Sequence, residues 1–557
     1  MRRAAATITG PKGGSWDVFI GLEVHAQIQL RSKLFSRSQA AAPSEDDQPN
    51  SRVSLFDASF PGTLPALNTT AVDQAVRTAL ALGSTVHRRS VFERKHYFYS
   101  DLPHGYQITQ MRHPLATGGS MPLIFDTPPS TTAEGSQPPG GASNQPASSP
   151  SIGITRIQLE VDSGKSLHDR GGTAGGGGGK GERHRSLVDL NRAGTALVEI
   201  VFEPEIRGAA EAGAAVRSLQ LILRKVGACD GNMEDGSMRC DLNVSVRPEG
   251  EEGLGERVEV KNMNSVRHMM TAAAAEARRQ ARQLELGEGP IERETRGFDV
   301  AKGETVRLRR KEGLVDYRFF PEPDLPPLVI TDAHVDSIEA TLPELPEATM
   351  LRLSREHGLP EHLSRLIVCA AGGASGYFEA LVNARGAADR GRRDPKIAAN
   401  WLVNNLFGLL KDQLGKEHGE SGSEGDLERL FPEERLGELL DLLADGTISS
   451  QTAKTLLRVM VQEDQKSTAI QIVDARDLRQ MTDQGEIEAL CRGIVQDPRH
   501  AKQLASYRGG KGNLSKFFMG QAFKATRGRA DGSVVEECIM RLIQTPRSTD
   551  GSEPKQP

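Results

Sequence analysis

Three segments in the first 330 residues alternate between apolar and polar side chains. They are Ile154–Asp162, Ser237–Arg247 and Arg257–Lys261. A period of two places neighbouring side chains on opposite faces of a β-strand. Each segment is therefore predicted to be a strand with one packed face and one face rich in charged groups. For any one strand the polar face is equally typical of a solvated sheet, but three such strands favour a shared polar cleft.

From about residue 329 onward the pattern changes to leucine and alanine at helical spacing, as in Leu430–Leu443 and Ser450–Val461. Four prolines between Pro321 and Pro327 mark the change, because proline interrupts both helices and sheets. We predict an α+β chain in which a mostly antiparallel, cradle-like catalytic domain spans residues 16–328. An all-helical domain over 329–476 and a small helical tail domain over 477–547 are expected to follow.

Composition adds two insertions to this picture. The chain of 557 residues contains 58 glycines, and many of them, with prolines, lie in the segments 127–150 and 171–182. These segments are too poor in apolar side chains to form a core, so we expect disordered loops there and at residues 548–557. Residues 1–15 hold three basic and no acidic residues before Trp16, which is typical of a transit peptide or of a disordered end.

Charge and cysteine content exclude several classes of protein. Five scattered cysteines without a CxxC pair argue against a disulfide framework and a thiolate metal site. No apolar run is long enough for a membrane span, so no membrane partner is expected. Because the net charge is −5, a nucleic acid would have to bind a local basic patch.

Such a patch lies between Ser506 and Ser533, where basic residues alternate with aromatic ones. We expect the aromatic rings to pack the core of the tail domain and the cations to contact RNA, with a merely solvated basic face as the alternative. The candidate RNA-binding residues are Arg508, Lys511, Lys516, Lys524, Arg527 and Arg529.

Candidate cation ligands stand on the predicted strands. Glu23 and His25 are two residues apart and so share a face, and Glu199 interrupts the apolar run Ala196–Val201. A cation would neutralise such a carboxylate, although a Glu-x-His pair also occurs by chance and Glu199 could face solvent at a sheet edge. A Walker phosphate loop needs glycine, four residues and then Gly-Lys-Ser/Thr, and this spacing is absent around both Lys165 and Lys180. ATP would therefore have to bind without a P-loop.

Long collinear motifs give a more specific indication. They are IGLEVHAQI (20–28), RKHYFYSDLPHGYQITQ (94–110), IGITRIQLEVDSGKS (152–166), SLVDLNRAGTALVEIVFEPEI (186–206), NMEDGSMRCDLNVSVRP (232–248), EVKNMNS (259–265) and DYRFFPEPDLPPL (316–328). With these motifs the chain closely resembles the GatB/GatE family, the B subunits of aspartyl/glutamyl-tRNA amidotransferases. The resemblance covers nearly the whole chain apart from the insertions and the ends.

This resemblance implies a ligase reaction in two steps on Glu-tRNA(Gln) or Asp-tRNA(Asn). ATP would phosphorylate the side-chain carboxylate, and ammonia would then displace the phosphate to form the amide. The resemblance also implies ATP and Mg²⁺ as cofactors, tRNA as substrate carrier, and two partners in a heterotrimer. One partner would be an amidase (glutaminase) that releases ammonia from glutamine, and the other a small third subunit.

The family motifs also imply roles for individual residues. Glu23, His25, Glu160 and Glu199 fall in the magnesium-ligand region, and Glu234 and Asp235 are nearby candidates. Further implied positions are phosphate contacts at Arg239 and Lys261, for which structural ion pairing is the alternative, and an ammonia passage at Lys95, which could equally be a solvated lysine. Some relatives bind zinc through cysteine pairs where this chain has Ser36, Ser38 and residues 55–59, so no zinc is expected.

Two other functions fit parts of the sequence. A stand-alone ligase acting on free glutamate would need similar carboxylates but no basic tail, and a non-catalytic tRNA-binding scaffold would need the tail but no carboxylate cluster. The acid-poor start and the insertions favour a mitochondrion or chloroplast, with a bacterial cytoplasm as the alternative.

Overall fold

The computed structural model describes residues 7–40, 48–125, 150–168, 186–310, 316–370, 374–384, 392–414, 425–481, 483–509, 512–526, 528–530 and 532–544. The insertions expected at 127–150 and 171–182 lie outside these residues, apart from Pro150. Residues 1–6 and 548–557 lie outside them too.

The first part of the chain contains the strands. In chain order they are β1 Thr7–Thr9, β2 Ser15–Gln27, β3 Thr85–Val86, β4 Arg89–Ser90, β5 Glu93–His96, β6 Tyr106–Thr109, β7 Ala116–Thr117, β8 Ser120–Pro122, β9 Ser151–Val161, β10 Lys165–His168, β11 Ser186–Asp189, β12 Ala196–Phe202, β13 Met238–Pro248, β14 Val258–Lys261, β15 Glu294–Asp299, β16 Glu304–Arg310, β17 Phe320–Pro321 and β18 Leu328–Val329.

The chain also contains helices, of which the first three lie among these strands and the rest follow them. They are α1 Thr69–Ala81, α2 Ala209–Lys225, α3 Val266–Leu286, α4 Asp332–Glu339, α5 Pro346–His357, α6 Glu361–Cys369, α7 Ala374–Asn383, α8 Pro395–Trp401, α9 Phe407–Leu414, α10 Asp426–Leu430, α11 Glu433–Ala444, α12 Ser450–Gln462, α13 Ala469–Ala475, α14 Gln484–Gln496, α15 Ala501–Arg508, α16 Ser515–Ala525 and α17 Gly532–Gln544. A π-helical turn, Leu402–Leu406, joins α8 to α9, and 3₁₀ turns lie at Pro498–His500 and Gly512–Leu514.

One sheet of eleven strands forms the framework of the first part. Its main order is β16-β15-β14-β13-β2-β12-β9-β7-β3, with β1 beside β2 and β8 beside β9. Its strand pairs are antiparallel except β14–β15, which is parallel. The long strand β2 occupies the centre of the sheet, so its polar residues have neighbours from both sides.

The two faces of this sheet differ in chemistry. The even positions of β2, from Trp16 to Ala26, are buried, and α3 packs against β13 on this side with its own alanine-rich face. Ser265 caps the N-terminus of α3 by accepting a hydrogen bond from the His268 amide. Gly287 ends the helix with φ +72°, a conformation that glycine adopts without strain. The odd positions of β2 point to the other face.

A small sheet of three strands, in the order β17-β5-β6, faces this polar side. Its strand β6 packs against β9, and side chains of β6 donate to and accept from side chains of β9. Since the two sheets meet at β9, a cleft opens between them over the polar face of β2.

The helical part contains two separate hydrophobic clusters. One is built on α5–α13 and includes Phe378, Trp401 and Leu456. The other is built on α14–α17 around Phe518 and Ile539, with Tyr507, Phe517 and Phe523 packed against it. The aromatic residues of the tail therefore pack into a core, as the sequence predicts.

Contacts divide the chain into two compact units, Met1–Leu351 and Arg352–Pro557. The first is rich in mostly antiparallel strands and the second is helical in its described residues, so the predicted α+β class is confirmed. The finer division at residues 328 and 476 remains a prediction. Within the described part of the chain, no helix combines the length and the apolar character that crossing a bilayer requires.

Candidate active site

The register of β2 brings functional side chains from three strands onto the polar face of the sheet. His25 lies opposite Glu199 on β12 and opposite Arg239 on β13. Glu23, two residues earlier, lies opposite Asp241 on β13. Residues directly opposite in a sheet project to the same side. The alternation seen in the sequence thus becomes a continuous row of charged groups.

The first cluster consists of His25, Glu160 and Glu199. The His25 Nε2 atom lies 3.8 Å from Glu160 Oε1 and 3.8 Å from Glu199 Oε2. The two carboxylates are almost completely buried, with 2% and 5% exposure. One donor atom from each of the three residues lies within 4.8 Å of the others, a spacing at which all three can reach one cation.

A second cluster lies beside the first and consists of Glu23, Asp241 and Glu259. Their carboxylate oxygens also lie within 4.8 Å of one another. Lys261 contacts Asp241 and lies 3.3 Å from Glu259, so its ammonium group balances part of the negative charge of the three carboxylates. The four predicted ligands thus fall in two adjoining clusters, with Glu23 in the second. Their role as magnesium ligands stays a prediction.

Asp241 and Glu259 were absent from the predicted ligands although the signal was available. Both lie on the polar side of alternating strands: Asp241 is opposite Glu23 on β13, and Glu259 lies on β14, the next strand beyond β13. Alternation alone could not show which of their polar neighbours would meet Glu23, because that depends on strand pairing across more than 200 residues.

Burial makes the first cluster electrostatically costly. It raises the pKa of Glu160, against the opposing effects of Lys95 and His25. It also raises the pKa of Glu199, and the neighbouring carboxylate of Glu23 adds to this effect. Glu160 Oε2 is buried without a hydrogen-bond partner among the described residues. A divalent cation would give this atom a partner and stabilise both ionised carboxylates, so the residues present fit a magnesium site.

The clusters border a cleft of about 490 Å³. Besides acidic groups it is lined by five cationic side chains: Lys95, Arg156, Arg257, Lys261 and Arg293. Tyr317 and Phe319 contribute an aromatic wall. Carboxylates that bind cations, together with arginines that bind anions, are the groups required to hold a metal-bound polyphosphate.

The two predicted phosphate contacts differ in position. Lys261 lines the cleft, held by Asp241 and Glu259, and these two carboxylates raise its pKa despite the opposing effect of burial. Arg239 instead donates to Asp162 at 2.7 Å and is not among the described residues that line the cleft. Its ion pair matches the structural alternative. Arg156 and Arg257 line the cleft and were missed, because arginines on polar strand faces are common.

Lys95 projects from β5 into the cleft, facing the first cluster. Its Nζ atom lies 5.4 Å from the centre of the Tyr317 ring. Burial lowers the pKa of Lys95, but the carboxylates of Glu160 and Glu199 outweigh this effect and raise it. Lys95 is therefore a charged group within the site, and its predicted part in an ammonia passage remains a prediction.

The remaining predicted site residues lie elsewhere. Glu234 and Asp235 are exposed on the turn before β13 and are not among the described cleft-lining residues. In the tail, Lys516 and Lys524 are exposed on α16. Arg508 donates to the Ile543 carbonyl, and Arg529 pairs with Asp477 at 2.7 Å. Lys511 and Arg527 lie outside the described residues.

Comparisons with known proteins agree along nearly the whole chain. The model of the GatB/GatE catalytic domain matches residues 18–336, and that of the GatB domain matches residues 377–543. The chain is 44% identical to the B subunit of the mitochondrial glutamyl-tRNA(Gln) amidotransferase of Phytophthora infestans, over 96% of each protein. It is 43% identical to the B subunit of the aspartyl/glutamyl-tRNA(Asn/Gln) amidotransferase of Gluconobacter oxydans, over 96% of this chain and 99% of the relative. It is 45% identical to the protein of the same name in Methylobacterium nodulans, over 94% of this chain and 96% of the relative.

Proposed function

The chain belongs to the GatB/GatE family, and from this premise we propose that its cleft converts Glu-tRNA(Gln), Asp-tRNA(Asn) or both into the corresponding amides. The proposal rests chiefly on one observation: two carboxylate clusters and five cations meet in a single cleft on the polar face of the sheet. The relatives are named as the B subunits of tRNA-dependent amidotransferases.

The chemistry begins with a carboxylate, which is a poor electrophile. One oxygen of the substrate side chain attacks the terminal phosphorus of ATP, the bond to ADP breaks, and an acyl phosphate forms. Ammonia then attacks the acyl carbon, the carbon–oxygen bond to phosphate breaks, and nitrogen loses a proton as the amide forms. Both steps concentrate negative charge on phosphoryl oxygens.

The residues of the cleft supply what these steps need. His25, Glu160 and Glu199 would hold one Mg²⁺, and Glu23, Asp241 and Glu259 would hold a second cation. Bound Mg²⁺ would supply positive charge beside the phosphoryl oxygens. Arg156, Arg257 and Lys261 line the cleft and would bind phosphate oxygens, and Lys95 lines it near the buried carboxylates. Catalysis would then consist mainly of positioning and electrostatic stabilisation.

The relatives are named as one subunit of an enzyme, which implies that this chain also works within a complex. We propose an amidase (glutaminase) partner as the source of ammonia and a small third subunit as the remaining member. One relative is mitochondrial and others are bacterial, so we propose an organelle, mitochondrion or chloroplast, as the location. A bacterial cytoplasm is the alternative.

Reconstitution tests the proposal directly. The chain, combined with the amidase and the small third subunit, ATP, Mg²⁺ and glutamine, should form Gln-tRNA from Glu-tRNA(Gln) or Asn-tRNA from Asp-tRNA(Asn). Free glutamate serves as a third substrate in parallel. Turnover of free glutamate without turnover of either aminoacyl-tRNA would overturn the proposal in favour of a stand-alone ligase, and no ATP-dependent turnover at all would favour a scaffold.

A further inference from the structure

Two buried glutamines donate hydrogen bonds to the carboxylates of the first cluster, and one of them, Gln158, also lines the cleft. Gln158 on β9 is 2% exposed, and its Nε2 atom donates to Glu199 Oε2 at 2.7 Å. Gln107 on β6 is 6% exposed, and its Nε2 atom donates to Glu160 Oε1. Each carboxylate of the cluster thus has an amide of its own.

The surroundings of Gln158 dictate which way its amide points. Its Oε1 atom accepts from Arg156 Nε at 3.0 Å, and a guanidinium can only donate. Its second N–H donates to Thr109 Oγ1 at 3.1 Å. Rotating the amide by half a turn would place its NH₂ group against the guanidinium and its oxygen against the Glu199 carboxylate. The orientation that donates to Glu199 is therefore set by its neighbours.

Gln107 is held in the same way. Its Oε1 atom accepts from the Tyr97 hydroxyl at 2.9 Å, and its Nε2 atom donates to the Val161 carbonyl at 2.7 Å as well as to Glu160. A backbone carbonyl can only accept, so the NH₂ group must face it. In both glutamines the NH₂ group donates to one neutral acceptor and to one carboxylate. In both, the amide oxygen accepts from a residue outside the first cluster.

We propose that Gln107 and Gln158 are positioning residues that hold Glu160 and Glu199 at the spacing a divalent cation requires; this rests on the proposed function. A carboxylate oxygen has two lone pairs. The oxygens that accept from the amides are the same ones that lie 3.8 Å from His25 Nε2, so each retains a lone pair for a cation on the His25 side.

Loss of either amide frees a carboxylate to rotate away from the cluster. Groups that orient metal ligands from behind typically change metal affinity by about 10- to 100-fold when they are removed. Gln107→Met and Gln158→Met keep side-chain length while removing the donors. Each is expected to weaken cation binding by about 10-fold or more.

Gln280 offers a matched control. It is fully buried on α3, behind the opposite face of the sheet, and its Nε2 atom donates to Glu276 Oε1 at 2.8 Å and to the Val244 carbonyl at 3.1 Å. Its donor contacts therefore match those of Gln107, one carboxylate and one carbonyl, although its Oε1 atom has no partner among the described residues. Gln280 is not among the described residues that line the cleft. Gln280→Met should change thermal stability without changing cation affinity.

The experiment is a titration of the full-length chain with Mn²⁺, followed by the electron paramagnetic resonance signal of free Mn²⁺, with Mg²⁺ as competitor. We expect wild type and Gln280→Met to bind Mn²⁺ alike, and Gln158→Met and Gln107→Met to bind it at least about 10-fold more weakly. In the assembled complex, raised Mg²⁺ should restore much of the lost transamidation.

The outcomes separate this inference from the proposed function. If wild type amidates its aminoacyl-tRNA and binds Mn²⁺, but both glutamine variants bind Mn²⁺ as tightly as wild type, the positioning role is wrong while the function stands. If wild type binds no Mn²⁺, the metal site and this inference both fail. Should a glutamine variant not fold, Tyr97→Phe removes only the hydroxyl that donates to Gln107 Oε1, and unchanged Mn²⁺ affinity there would also contradict the inference.

Discussion

At the scale of single residues, Glu160 shows that the site and the stability of the fold have opposing requirements. Burial raises its pKa above the ordinary value of 4.5, so the folded chain binds this proton more tightly than the unfolded chain does. Ionisation of Glu160 therefore lowers the free energy of unfolding as the pH rises from the ordinary pKa through the raised one. This cost is present at neutral pH and above.

Because ionised Glu160 lowers the free energy of unfolding, we predict that Glu160→Gln raises the melting temperature of the metal-free chain at pH 8. The same substitution should abolish tight Mn²⁺ binding. The gain should shrink as the pH falls through the raised pKa, because wild-type Glu160 then becomes protonated as well. Thermal unfolding at several pH values measures this, with Glu234→Gln on an exposed turn as control. A lower melting temperature for Glu160→Gln at pH 8 would contradict this interpretation.

A buried ion pair joins Lys33 to Asp57 in the first unit. Lys33 is fully buried, and its Nζ atom lies 3.2 Å from Asp57 Oδ2, which also accepts from Ser36 Oγ and the Ser54 amide, each at 3.0 Å. Burial lowers the pKa of Lys33. This network joins two loops of the first unit through polar and charged groups.

We predict that Asp57→Asn lowers the free energy of unfolding by about 3–5 kcal/mol, because it leaves the Lys33 ammonium buried without its counter-charge. Chemical denaturation measures the loss. The double variant Lys33→Met, Asp57→Ala should be less destabilised than Asp57→Asn alone, since no buried charge remains. If the double variant were the least stable of the series, an unpaired buried charge could not be the cause of the loss in Asp57→Asn.

At the scale of elements, the strands and the helical region could be predicted from the sequence because their apolar periods are regular. The observed β9, β13 and β14 coincide closely with the alternating segments. Strand pairing could not be predicted in the same way. That β2 lies between β12 and β13 depends on contacts over roughly 180 to 220 residues, and this arrangement places Glu23 opposite Asp241 and His25 opposite Glu199.

Helix α16 shows the same limit for charged residues. Six cations were equivalent in the sequence, but the fold uses Arg529 to pair with Asp477 and Arg508 to bind a carbonyl of α17, while Lys516 and Lys524 are exposed on α16. Whether a cation serves an internal contact depends on partners distant in sequence, which periodicity does not reveal.

We therefore predict that Lys516→Gln with Lys524→Gln weakens tRNA binding and lowers the slope of log affinity against log salt by about 1 for each lost phosphate contact. Filter binding at several salt concentrations measures both quantities. Lys396→Gln with Lys454→Gln, at exposed lysines of α8 and α12, is the matched control because it also removes two charges. An equal loss in the control, or an unchanged slope in the double variant, would exclude α16 as the tRNA-binding element.

At the scale of the whole molecule, the chain combines two units of different chemistry. The strand-rich unit presents the acidic and cationic cleft, and the helical unit ends in a small cluster of helices with exposed lysines. The net charge of −5 hid both features, since a total charge does not show how charges are distributed. The division suits an enzyme whose reacting group is small but whose substrate is a large nucleic acid.

We propose that Glu199 and its neighbours act in the phosphorylation and amidation of the aminoacyl-tRNA. The most direct measurement is a single-turnover assay of the assembled complex with ATP, Mg²⁺, the substrate aminoacyl-tRNA and ammonium chloride, which makes the reaction independent of the amidase. Wild type should form the amide. Glu199→Gln should be slower by about 100-fold or more while remaining folded and still binding tRNA. Amide formation by Glu199→Gln at the wild-type rate would contradict this role of Glu199.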